Sequence, residues 1–189
     1  MDVDIDVPSS FNPVEIFPEW VRASTILNGE LRPHPCGVYP QAVAIDPVTH
    51  LAAAPFKVLE QRGYLKVDFL HNTVYDKFQS REDIEFLLTV EPEWKLLLIP
   101  SVQQTLFQLS KHGDILDIVR PTSVEELADV LALIRPGKRK ILDLYLDDRN
   151  KGRRLLYTKS SEYYFKKSHA IGYALVIVLQ LHLINLGVT

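Results

Sequence analysis

Asp2, Asp4 and Asp6 alternate with Val3, Ile5 and Val7 at the start of the chain. A period of two belongs to a strand, so the three carboxylates leave one face and the β-branched side chains the other. Like charges packed that closely raise each other's pKa values unless a cation compensates. Hard divalent cations take oxygen ligands, and Mg²⁺ is usually held by one or two carboxylates together with substrate phosphates. A second strand is expected from Gly63 to Phe69, and it carries Asp68. Set beside the first, it completes a candidate metal site on Asp4, Asp6 and Asp68. Two ions held there can polarise a hydroxyl nucleophile and stabilise the leaving group of an in-line displacement. Lys66 shares the face of Asp68 by the same period and suits a phosphate. The plain alternatives are an exposed strand with alternating acids and a solvated strand lysine.

The elements that must position these residues are legible in part. Asn12-Pro13 starts a short helix that Pro18 limits to about a turn. Glycines and prolines recur from Asn28 to Pro55 and imply loops and short extended pieces. Ser80-Arg81-Glu82-Asp83 opens an amphipathic helix running through Leu88. Trp94 to Ile99 is short and apolar, compatible with strand or buried helix, and Thr105 to Leu109 favours strand. Ser123-Val124-Glu125-Glu126 has the form of a capping box, so a helix runs from there to about Ile134 and stops at Arg135-Pro136-Gly137. Another helix is expected within Lys140 to Asp148. The last, about Ser168 to Leu186, is apolar nearly all round and reads as buried. It carries Gln180, His182 and Asn185, and a membrane span needs ~20 predominantly apolar residues, so no membrane segment is expected.

Composition narrows the class. With 189 residues, 47% of them hydrophobic, the chain can bury a core of one domain or somewhat more. Cys36 is the lone cysteine, so no internal disulfide can form and a reducing, cytoplasmic setting is the natural reading. Met1-Asp2-Val3-Asp4 has neither the basic nor the apolar region of a signal peptide. Net charge is −3, but between Arg135 and Lys167 eleven Lys or Arg residues face four acids. Such a basic third suits a polyanion such as DNA. The alternative is an ordinary solvated helix face.

Six blocks, in order along the chain, carry a resemblance to the family C DNA polymerases, the bacterial DNA polymerase III alpha-subunit type. Asp2-Val3-Asp4-Ile5-Asp6-Val7 resembles that family's aspartate strand, whose last two aspartates bind the catalytic metals. His34-Pro35-Cys36-Gly37-Val38 resembles its His-Ala-Gly/Ala-Gly-Val segment. Gly63-Tyr64-Leu65-Lys66-Val67-Asp68-Phe69-Leu70 is similar to the strand with the third catalytic carboxylate. Phe107-Gln108-Leu109 with Gly113, the run from Arg120 to Gly137, and Phe165-Lys166-Lys167-Ser168-His169-Ala170 with Tyr173-Ala174-Leu175 resemble further family blocks.

The resemblance implies an α/β fold, a nucleotidyltransferase palm with a small mixed sheet over residues 1–110 and a reduced helical fingers-like region over 111–189. It implies DNA polymerase activity with Mg²⁺ or Mn²⁺ on Asp4, Asp6 and Asp68. Lys66, Arg135, Lys167 and His169 would meet nucleotide phosphates, while His34 and His169 could equally cap a turn or helix. Lys138, Arg139, Lys140, Arg149, Lys151, Arg153 and Arg154 would meet DNA, having few acidic neighbours in sequence. Partners would be template-primer DNA, deoxynucleoside triphosphates and other replication proteins. Departures are the family's Gly/Ser-rich phosphate loop, which the chain lacks, and Ser110-Lys111-His112-Gly113 in place of Glu-Ser-Arg-Gly. They leave open a non-catalytic palm relative that binds DNA or a replication protein.

Overall fold

The computed structural model describes residues 2–158 and 165–188; Lys159 and Glu162 of the basic third lie outside them. The chain divides into two compact units, Met1–Phe78 and Gln79–Thr189. The sequence suggested a boundary at 110, but residues 79–110 belong to the second unit.

The first unit is built on a sheet of four strands, β1 (Asp2–Val7), β2 (Val21–Leu27), β3 (Glu30–Tyr39) and β4 (Lys66–His71), in the order β1-β4-β3-β2. β1 runs parallel to β4, and β3 runs antiparallel to both β4 and β2. β1 and β4 form where period two expects them. No element is expected over Val21–Leu27, which is β2, and loops and short extended pieces are expected from Asn28 to Pro55, where the ten-residue β3 forms; the two strands pair as a hairpin. Its turn is Asn28-Gly29, with φ of 53° and 80°. Both central residues are left-handed, the arrangement whose twist matches a two-residue hairpin and which Asn-Gly adopts most easily. Pro33 and Pro35 are tolerated in β3 because only Gly37 and Val38 of that strand pair with β4.

One face of this sheet is apolar. Val7, Val38, Val67 and Phe69 are buried there under Phe11 and Trp20. On the other face the helix α2 (Phe56–Gln61), which follows the short α1 (Pro13–Ile16), helps to cover Tyr39 and Ala23 through Leu59. Asp4, Asp6 and Asp68 emerge on that second face.

The second unit is helical: α3 (Arg81–Thr89), α4 (Pro100–Gln103), α5 (Gly113–Val119), α6 (Val124–Leu133), α7 (Leu142–Asp147), α8 (Arg149–Leu156) and α9 (Lys167–Asn185). Two serine caps work as the sequence proposed. Ser80 Oγ accepts from Asp83 N at 3.1 Å and Ser123 Oγ from Glu126 N at 3.2 Å, each satisfying an orphan donor of the first turn. Trp94–Leu98 is a 3₁₀ helix. By length and composition α9 could cross a membrane, yet Ala170, Ala174, Ile177 and Leu181 join Leu127, Leu131 and Leu116 in one core.

Residues 105–109 are turns, not the expected strand. Gln108 is left-handed, with φ 62°. The neighbouring backbone groups are satisfied by a side chain of α9: Gln180 Oε1 accepts from Phe107 N at 2.7 Å, and its Nε2 donates to Thr105 O at 3.3 Å. A strand partner is therefore unnecessary.

Candidate metal centre on the first unit

The register pairs Asp4 with Asp68 across the parallel β1–β4 ladder and Gly37 with Asp68 across β3–β4. Residues opposite one another in a ladder project to the same side. Asp4, Asp6, Lys66 and Asp68 thus share the face that sequence periodicity gave them. Asp4 and Asp6 are half-buried, and Lys66 and Asp68 are buried.

Between Arg22 and Ser24 of β2, the partner on β3 jumps from Val38 to Pro33. Residues 34–37 have no register partner on β2 and form a bulge, the usual way a sheet re-aims a side chain. Arg22 fixes this bulge, its Nε donating to His34 O at 3.1 Å and its Nη2 to Pro35 O at 2.7 Å. Gly37 N donates to His34 Nδ1 at 2.9 Å and closes it. As a result His34 turns towards Asp68, with Nδ1 3.8 Å from Oδ1, and Cys36 Sγ lies 3.9 Å from the same ring nitrogen.

Gly37 is required by close approach. A Cβ there would stand 2.8 Å from His34 Nδ1, 2.9 Å from Asp68 Oδ1 and 3.0 Å from Lys66 Cδ. Phe56 at the start of α2 walls the site, its ring edge-on to His34 at 4.9 Å and 5.5 Å from Lys66 Nζ.

Two features set the electrostatics. Lys66 Nζ donates to Asp68 Oδ2 in a buried ion pair, so the lysine expected to wait for phosphate is already engaged. Asp68 Oδ1, by contrast, is buried and has no hydrogen-bond partner. A bare buried carboxylate oxygen is costly and marks a place where a cation or donor is wanted. Burial, and then the charge of Lys66, hold His34 below its ordinary pKa against the pull of Asp68. Burial, then Asp68, and further on Asp4, push the Cys36 thiol up to about 11. Burial and then Asp6 push the Tyr75 phenol up to about 12.

No protein-family model matches the chain, and no curated protein matches it either.

In the second unit the expected phosphate and DNA contacts fare differently from one another. Arg135 is stacked, its guanidinium carbon 4.2 Å from the Phe165 ring centre and 5.9 Å from that of Tyr173, and Nη2 donates to Gln108 Oε1 at 2.8 Å. Lys167 Nζ donates to Glu125 Oε1 at 2.7 Å. His169 lies edge-on to Phe165, with ring centres 6.4 Å apart.

The view that the basic third lacks neutralising acids needs correction. Arg139 pairs with Asp114, Arg149 with Glu126, and Arg153 with Glu125 and Asp129. Those acids lie on α5 and α6, too far back in sequence to be counted as neighbours. Lys138 is buried and donates to Leu155 O at 3.2 Å. Arg153 and Lys138 are therefore framework residues. The exposed pairs of Arg139 and Arg149 are weak, each worth about 0–1 kcal/mol, and can exchange partners at little cost. Among the described residues Lys140, Lys151 and Arg154 are exposed and have no acidic partner.

Sequence reasoning missed Cys36 and Gly37 as parts of the site. The signal was there: His34-Pro35-Cys36-Gly37 is short, and its residues suit a bulge. Nothing local said which strand would lie opposite.

Proposed function

We propose that the first unit is a nucleotidyltransferase palm of the family C DNA polymerase type, which adds deoxynucleotides to a primer 3′-hydroxyl. The observation that carries this reading is Asp68 Oδ1, buried and unpartnered, on the strand that pairs Asp68 with Asp4. Asp4, Asp6 and Asp68 offer carboxylate oxygen, the ligand type of Mg²⁺ or Mn²⁺, and one oxygen of Asp68 accepts no conventional hydrogen bond, although the donors that converge on Asp68 within 4.8 Å are those of His34 and Cys36. Asp4, Asp6 and Asp68 would hold the ions. Bound there, such ions supply activation of the hydroxyl and charge neutralisation at the leaving pyrophosphate.

The chain's own residues have defined parts. Lys66 orients Asp68 from the Oδ2 side, and can turn to a phosphate once a cation replaces it. Gly37 keeps the approach to Asp68 open. Phe56 limits water on one flank. Partners under this reading are template-primer DNA, deoxynucleoside triphosphates and other replication proteins, in the cytoplasm. Arg135, Lys167 and His169 remain proposed phosphate contacts, and Lys140, Lys151 and Arg154 proposed DNA contacts, joined by Arg139 and Arg149 once their exposed pairs open.

One observation favours a second reading, a non-catalytic palm relative that binds DNA or a replication protein. The Lys66 ammonium already compensates Asp68, as a structural ion pair would.

Primer extension with Mg²⁺ or Mn²⁺ separates the two. The parent should extend a primer and Asp4→Asn should not, with its fold unchanged by circular dichroism. Asp68→Asn is a poorer probe, because it strands the buried Lys66 charge, a loss of the kind that destabilises by about 3–5 kcal/mol. Equal extension by parent and Asp4→Asn removes the aspartates from catalysis, and no extension by the parent leaves the binding reading.

A further inference from the structure

We propose that His34, Cys36 and Asp68 form a second cation site, selective for a thiophilic divalent transition ion such as Zn²⁺, which competes with the carboxylate site for Asp68. One donor atom from each of the three lies within 4.8 Å of the other two. Tetrahedral Zn²⁺ with ligands at about 2.0–2.3 Å sets its donors roughly 3.3–3.8 Å apart. His34 Nδ1 is 3.8 Å from Asp68 Oδ1 and 3.9 Å from Cys36 Sγ, so a few tenths of an ångström of closure suffices for these two separations.

Asp68 Oδ1, the third donor, is buried, has no conventional hydrogen-bond partner and faces His34, and the Cys36 thiol reaches the same carboxylate. The side chain that bears it is 10% exposed. Lys66 occupies Oδ2, which leaves Oδ1 as the ligand atom. A sulfur, nitrogen and oxygen set selects against Mg²⁺, which wants oxygen throughout, and for Zn²⁺ or Co²⁺. Three protein ligands leave the fourth position to water.

Binding breaks the Cys36 S–H bond, forms a sulfur–metal bond and releases the proton to solvent. No electrons change hands, and the ion stays divalent. His34 Nδ1 exchanges the Gly37 N–H for the ion, at the loss of one backbone hydrogen bond. The bulge held by Arg22 presents the His34 and Cys36 side chains together, which a regular strand does not do beside Asp68.

The site itself stands on geometry alone; only its consequence, loss of nucleotide transfer when Zn²⁺ takes Oδ1, rests on the nucleotidyltransferase reading. The test therefore uses the full chain without DNA. Co²⁺ is titrated into reduced protein while thiolate-to-metal charge transfer and the intense visible bands of tetrahedral Co²⁺ are recorded, and Zn²⁺ is then added to displace it. One ion per chain is expected. Cys36→Ser should abolish the charge-transfer band and weaken Zn²⁺ by more than the ~10–100-fold that changes behind a ligand cost. Asp4→Asn should keep both. Should Cys36→Ser fold poorly, the parent alone decides: stoichiometric Zn²⁺ should slow modification of Cys36 by a thiol reagent, and Mg²⁺ should not. Unchanged Zn²⁺ affinity in Cys36→Ser, loss in Asp4→Asn only, or no protection of the thiol would each overturn the proposal. A positive Co²⁺ spectrum with no primer extension supports the site and removes only the polymerase reading.

Discussion

Replacing Arg153 by alanine tests whether the basic third is framework or surface. Asp129 lies in the middle of α6 and is fully buried. Its Oδ2 accepts from Arg153 Nε at 2.8 Å, from Arg153 Nη2 at 2.7 Å and from Tyr145 Oη at 2.9 Å, while Oδ1 has no partner. Arg153→Ala removes the compensating charge and leaves a buried carboxylate with the Tyr145 hydroxyl and that of Tyr157 close by. Breaking a buried pair from one side costs about 3–5 kcal/mol. Arg153 keeps some exposure, 22% of its side chain, and Tyr145 remains, so the lower end, about 3 kcal/mol, is expected. At roughly 2–4 °C per kcal/mol for a chain of this size, the melting temperature should fall by about 6–12 °C. Arg154→Ala, one residue on and exposed, should stay within about 0.5 kcal/mol of the parent. Asp129→Asn combined with Arg153→Met should lose less than the sum of the single changes, because no charge is then stranded. Thermal unfolding by circular dichroism, run on the parent, these variants and the two single changes, measures each difference. Melting of Arg153→Ala within a degree or two of Arg154→Ala would refute the reasoning and return Arg153 to the candidate DNA surface.

Gly152→Ala should destabilise by about 1–3 kcal/mol, since its Cβ would stand 2.6 Å from the Tyr145 Cα where α8 meets α7; a denaturant midpoint reads this, and parent-like stability would mean the two helices are not packed so closely. Replacing Lys140, Lys151 and Arg154 together by alanine should leave the melting temperature unchanged. If they meet duplex DNA, the slope of log affinity against log salt should become shallower by up to about 2.7, at about 0.9 for each phosphate no longer neutralised; an unchanged slope makes them a solvated face. Saturating Mg²⁺ should raise the melting temperature of the parent, by the equivalent of about 2.7 kcal/mol at a hundredfold excess over the dissociation constant, and leave that of Asp4→Asn nearly still.

Much of the candidate site was legible because its signals are local. Alternation at Asp2–Val7 and around Asp68 specifies strands and the faces of their carboxylates through geometry that repeats every two residues. Ser80 and Ser123 announce their helices by donors three residues away. Asn28-Gly29 is an equally local signal for a two-residue hairpin turn, but the prolines and glycines that crowd the stretch after it read as loops, and the hairpin is not among the expectations. Other features were beyond any local signal. Thr105 to Leu109 has strand-like residues, yet Gln180, 73 residues from Phe107, satisfies its backbone and permits a turn. The eleven basic residues from Arg135 to Lys167 look unbalanced along the chain, but Arg153 finds Asp129 24 residues earlier, and Arg139 finds Asp114 25 residues earlier. His34 and Cys36 meet Asp68 only because β3 bulges and then pairs with β4. Propensity, capping and periodicity act between residues within a turn or two of one another. Charge compensation and ligand geometry depend on distance in space, and the folding of distant segments onto one another set those distances.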